Sequence, residues 1–237
     1  MPYQLEICAA SLASAVAAEA GGAQRIELCQ SLEVGGITPS YGLIRQVLAA
    51  VRLPVHVLIR PRAGGFVYDR GELATMQADI ETCRELGCAG VVLGVLTAAG
   101  DVDGPRCREL LAAAGPLSVT FHRAFDVCSD QAAALEAVVA LGCQRVLTSG
   151  GQATAGAGRA QLAALVRQAA GRIGVMAGAG ITPANVRELV AATGAPEYHA
   201  SASRLLPPEP GAGLFAAARL ETDAALVAAL VAELAAD

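Results

Sequence analysis

The chain has 237 residues, 54% hydrophobic and 16% charged, with a net charge of −5. That composition is core-rich and globular, which excludes a disordered chain. The acidic balance, without any Lys/Arg run, argues against nucleic acid or a membrane as partner, and no stretch approaches the ~20 apolar residues that span a bilayer.

In chain order, QLEIC (4–8) reads as the first strand, and Ser11 caps the alanine-rich helix LASAVAAEA that follows. EAGGAQRIELC (19–29) closes that helix on glycine and opens a second strand, and Thr38-Pro39 precedes the helix SYGLIRQVL. VHVLIRPR (55–62) is the third strand. ELGCAGVVLG (85–94) repeats the phrase of helix, glycine and strand, and LSVTFHR (117–123) follows as the fifth strand. ALGCQRVLTSG (140–150) repeats it again, RIGVMAG (172–178) is the seventh strand, and Thr182-Pro183 opens the helix ANVRELVAA. AATGAPEYHAS (191–201) supplies the eighth strand. LLPPEPGAG (205–213) reads as an inserted loop before a last helix beginning at Thr222. Eight βα units without a linker predict an α/β chain, a single parallel eight-stranded (β/α)8 TIM barrel domain over residues 1–237.

Seven cysteines is an odd count and no C-x-x-C occurs, so neither a disulfide framework nor a zinc site is expected. The N-terminus, MPYQLEICAAS, has no basic segment followed by a long apolar core, which points to a cytoplasmic location.

Neighbouring strand residues face opposite sides of a sheet. Val55, Val57 and Ile59 should therefore meet the helices, which turns His56, Leu58, Arg60 and Arg62 into the barrel. The same parity sends inward Glu6 and Cys8, then Arg25, Glu27 and Cys29, then Thr120 and His122, then Glu197, His199 and Ser201. A barrel interior is ordinarily filled by Val, Ile and Leu, and buried charges are costly unless paired. These groups are either a self-balancing network of Glu6 and Glu27 against Arg25 and Arg60, or one end of them is a working site. His122 and His199 near the strand tops favour the second, because proton transfer and metal ligation use imidazoles.

Two loops add to this face. Gly178, Gly180 and the helix start near Thr182 have the form of an anion site, to which Ser201 is adjacent. After the third strand, RPRAGGFVYDR (60–70) pairs two arginines across a proline and then reads as a mobile flap.

EIC, RIELC with LEVGGITPSYGLI, VLIRPR, GVVLGVL followed by GDVD, TFHRAFD, LTSGG, GAGI and EYHASA together resemble the copper homeostasis protein CutC family, from Glu6 to about Ser203. The resemblance implies a cytoplasmic TIM barrel, often a homodimer, assigned to copper handling, with Cys8 and Cys29 at the positions of proposed copper ligands. Parity agrees that the two thiols converge, and Cu(I) accepts a two-thiolate site. The family's usual GGDF after the arginines is AGGF here, with Gly65 in place of the aspartate, and Ala177–Gly180 varies a glycine-richer stretch. A second function fits the residues: an enzyme acting on a small anionic or phosphorylated metabolite. Glu27 and His122 would be its acid and base, with Asp126 or His199 orienting a partner, and Arg25, Arg60, Arg62 and Arg123 would hold the anion.

Overall fold

The computed structural model describes residues 3–208, 213–215 and 218–236. Eight parallel strands close into one barrel in chain order: β1 (Gln4–Ala9), β2 (Arg25–Leu28), β3 (Val55–Leu58), β4 (Gly90–Leu93), β5 (Ser118–Phe121), β6 (Arg145–Thr148), β7 (Gly174–Gly178) and β8 (Glu197–Ala200). The helices that follow them are α1 (Leu12–Ala20), α2 (Tyr41–Ala50), α3 (Arg70–Glu85), α4 (Gly104–Ala114), α5 (Gln131–Ala140), α6 (Arg159–Ala169), α7 (Val186–Thr193) and α8 (Ala224–Ala235). No helix among the described residues is long and apolar enough to cross a membrane.

Local chemistry places the helix starts. Ser11 accepts the Ser14 N–H at 3.0 Å, and Asp69 and Glu72 form a reciprocal capping box at the head of α3. Three starts differ from the sequence reading. α2 begins at Tyr41 with Ser40 as its cap. The Asn185 side chain takes the Thr182 N–H, which holds residues 182–185 in a turn and delays α7 to Val186. Asp223, not Thr222, caps α8.

Thr222 is instead occupied in a two-stranded antiparallel ribbon, β9 (Ser203–Leu206) with β10 (Arg219–Thr222), and its N–H donates to Ser14 Oγ at 3.1 Å. The stretch read as a loop from 205 therefore starts as strand, and residues 209–212 of it lie outside the described residues.

Alternation divides the core in two. Leu5, Ile7, Ile26, Leu28, Val55, Val57, Val119, Phe121 and Tyr198 belong to the large cluster between sheet and helices. Inside the barrel, Cys8, Cys29, Leu58 and Val92 form a separate small cluster. Two glycines on the β4 side make room for inward imidazoles: a Cβ on Gly90 would stand 2.8 Å from the His56 ring, and one on Gly94 would stand 2.6 Å from His122.

Candidate functional site

The barrel interior is layered. At the bottom, Arg25 is tied to Glu6 and Glu197 and donates to Gln4 Oε1 at 3.1 Å. Arg145 reaches the same Glu197 at 3.2 Å and Ser118 Oγ at 2.8 Å. Each buried charge here has an opposite charge and hydrogen bonds, which is what makes such burial tolerable. The self-balancing network thus exists at this depth, built from Arg25, Arg145, Glu6 and Glu197, not from Glu27 and Arg60. Arg25, read from sequence as an anion-binding residue, belongs to it and does not line the cavity above. His56 is buried alongside, its pKa pushed down to about 4 by that burial.

His199 links this layer to the next. Its Nδ1 is 2.7 Å from Glu6 Oε1, and its Nε2 is 3.6 Å from Glu27 Oε2. Register brings the three together, since Glu6 pairs with both Arg25 and His199 while Cys8 pairs with Glu27. Burial alone would lower the imidazole pKa, but Glu27 and Glu6 override it and raise it. Glu6 responds oppositely: burial favours its neutral form, and the His199 bond and Arg25 hold it well below the carboxylate range. Glu27 is pushed up, by burial first.

Beside Glu27 lie the thiols. Cys8 Sγ is 3.5 Å from Cys29 Sγ, and one donor atom each from Cys8, Glu27 and His199 falls within 4.8 Å of the others. The contact with Cys29, then burial, pushes the Cys8 thiol well up. Cys8 faces the cavity and Cys29 is buried behind it. All seven cysteines are free and buried.

Above the thiols opens a cavity of about 560 Å³, walled by Cys8, Glu27, Arg60, His122, His199 and Ser201 among others. His122 Nδ1 accepts the Ala124 N–H at 3.1 Å, so the proton of the neutral ring sits on Nε2. Burial, then Arg60, pushes its pKa down to about 3, which keeps it neutral near pH 7. A neutral imidazole committed at Nδ1 presents a fixed N–H donor at Nε2. Arg60 spends its terminal nitrogens on the carbonyls of Val34 (3.0 Å), Gly36 (2.7 Å) and Gly64 (2.8 Å).

Arg62 does not join it. The strand ends at Leu58, alternation lapses, and Arg62 turns out to pair with Glu72 and stack 5.1 Å over Tyr68. Its guanidinium also holds the Gly65 and Val67 carbonyls, each at 2.9 Å, so the expected mobile flap is tied down at its backbone.

Arg123 and Asp126 stand at the rim and pair at 2.7 Å, with Asp126 also accepting from Thr148, Ser149 and Gly151. Those bonds make Asp126 the anchor of the loop after β6. Gly180 lines the cavity; Gly178 does not, and instead sits where a Cβ would strike Leu147 at 2.5 Å. Sequence reasoning missed Arg145 and Phe66. The first needed the inward parity of the sixth strand, which RVLT carries. The second needed the loop's path across the barrel.

The model of the CutC family matches residues 3–204. A CutC family protein of Xylella fastidiosa (strain Temecula1) is 57% identical over 198 residues, 84% of this chain and 74% of the relative. One of Bacteroides thetaiotaomicron is 52% identical over 203 residues, 84% of this chain and 81% of the relative. A crystal structure of CutC from Streptococcus agalactiae, described there as a candidate copper homeostasis protein, superposes with a TM-score of 0.80 at 37% identity, covering 84% of this chain and 98% of that one. Thiamine phosphate pyrophosphorylase of Pyrococcus furiosus shares the fold alone, with a TM-score of 0.62 at 15% identity over 98% of this chain and 96% of that one.

Proposed function

The chain belongs to the CutC family, and on that premise we propose that it serves copper homeostasis in the cytoplasm, as a homodimer, by holding Cu(I) between the thiolates of Cys8 and Cys29. The observation that carries this reading is the 3.5 Å contact between the two sulfurs, beside Glu27 and His199 at the foot of a cavity. Cu(I) is a soft ion that two thiolates suit, and His199 is near enough to Cys8 to supply a third ligand. The ion is cargo here: it arrives through the cavity and displaces the thiol protons. The raised Cys8 thiol makes that displacement harder in acid, so copper is released as pH falls.

Competition against a chromogenic Cu(I) chelator tests the site. Cys8→Ser/Cys29→Ser should lose at least about a hundredfold in affinity, as expected for deleting the thiolate ligands. A double variant that holds copper as tightly as the parent would falsify the thiolate site.

One further observation favours a second reading. A cavity of about 560 Å³ is the size of a small-molecule pocket and far exceeds what an ion needs. In this reading the protein is an enzyme acting on a small anionic metabolite. Glu27, raised by burial and facing His199, moves the proton, and Arg60, Arg123 and His122 hold the substrate.

A further inference from the structure

The wall formed by Arg60, Phe66 and His122 contains two buried donors with nothing to donate to, the Nε of Arg60 and the Nε2 of His122. His122 is 5% exposed and Arg60 6%. Buried polar atoms almost always find partners, so a pair of orphans on one cavity wall calls for a reason. Among the described residues no carboxylate pairs with Arg60, whose terminal nitrogens donate to backbone carbonyls. What occupies the place of a partner is an aromatic ring. The Phe66 centroid is 5.0 Å from the His122 ring and 5.3 Å from Arg60 Cζ. The faces of aromatic rings attract cations weakly but satisfy no N–H as an oxygen does.

We propose that Arg60 and His122 form an oxyanion site covered by Phe66, which accepts the carboxylate or phosphate oxygens of a small ligand when the ring swings aside. The backbone there cannot open easily, because the Phe66 carbonyl accepts from Leu96 N at 2.9 Å and Arg62 holds both neighbouring carbonyls. The movement is therefore a side-chain rotation, cheaper than displacing the loop. A guanidinium and a neutral imidazole N–H suit an oxygen ligand that is anionic. Tyr68, whose buried hydroxyl is also unpartnered, lies near enough to Arg60 for the two to interact. This site lies on the loops after β3 and β5, apart from the thiols. It rests on the small-molecule reading of the cavity and names the part of the ligand that is recognised.

The experiment follows the His122 Nε2–H resonance of ¹⁵N-histidine-labelled wild type and Phe66→Ala while inorganic phosphate or acetate is added to about 50 mM, where even weak millimolar sites saturate. A saturable shift is expected, about tenfold tighter in Phe66→Ala because no ring must be displaced. Whichever anion gives it identifies phosphate or carboxylate as the group recognised. Silence with both anions in both proteins would overturn the site. A wild-type shift that Phe66→Ala weakens or leaves unchanged would overturn the cover. Turnover of an uncharged substrate with a silent His122 would sink the oxyanion site and leave the enzyme reading standing; saturable binding with no turnover of anionic substrates does the reverse.

Discussion

Gly94 shows how one small residue determines a neighbour's chemistry. It leaves space for the His122 imidazole, whose Nδ1 is then free to take the Ala124 N–H and whose Nε2 must carry the proton. A methyl at Gly94 would stand 2.6 Å from that ring and 3.1 Å from Ala124 Cβ. The ring is buried and cannot swing into solvent, so Gly94→Ala should cost about 1–3 kcal/mol in urea unfolding, as overpacked cores do. Unchanged stability would mean that His122 is not packed as described.

His199 carries the clearest dependence on pH. Its pKa is raised above the ordinary 6.5, so its contribution is complete below that value and is lost as pH rises through the higher folded value. Glu6 is lowered, so its contribution is present above its ordinary 4.5 and is lost as pH falls through its depressed folded value. Glu27, raised by burial, acts in the same sense as His199. Unfolding free energy should therefore decline on the alkaline side, and His199→Gln should decline less steeply. Parallel curves for the two proteins would show that His199 is not charged between the carboxylates.

At the scale of elements, the helix–glycine–strand phrase was legible because its signal is local. Gly22, Gly87, Gly142 and Gly194 all take positive φ where a helix hands over to a strand, as the repeated phrase requires. Alternation likewise separated Leu58 from Val57 and grouped Cys8 with Cys29. It failed at Arg62, because the rule ends where the strand does. The ribbon β9–β10 was not legible: Thr222 pairs with Ser203 across a proline-rich stretch, and no local pattern announces that contact. The pairing of Arg25 with Glu6 was among the readings of the sequence, but its second partner Glu197 was hidden for the same reason, since it comes from β8, the strand beyond β1.

For the molecule as a whole, closing the sheet converts scattered residues into a depth profile. Below is a neutralised layer of Arg25, Arg145, Glu6 and Glu197 that holds the barrel shut from within. Above it the Glu6–His199–Glu27 column leads to the two thiols and then to the cavity with its basic wall. The four charges of the lower layer are paired with one another, whereas the upper end has two adjacent sulfurs and unpartnered donors on a cavity wall, which is why the proposed ligand chemistry is assigned there. That is also the end of a barrel from which active sites are built.

Joint holding of copper by Cys8 and Cys29 can be read from X-ray absorption at the copper edge of protein loaded with one equivalent of Cu(I). A coordination shell containing two sulfurs is expected, reduced to one in Cys8→Ser. A shell of nitrogen and oxygen alone, or one that Cys8→Ser leaves unaltered, would contradict it.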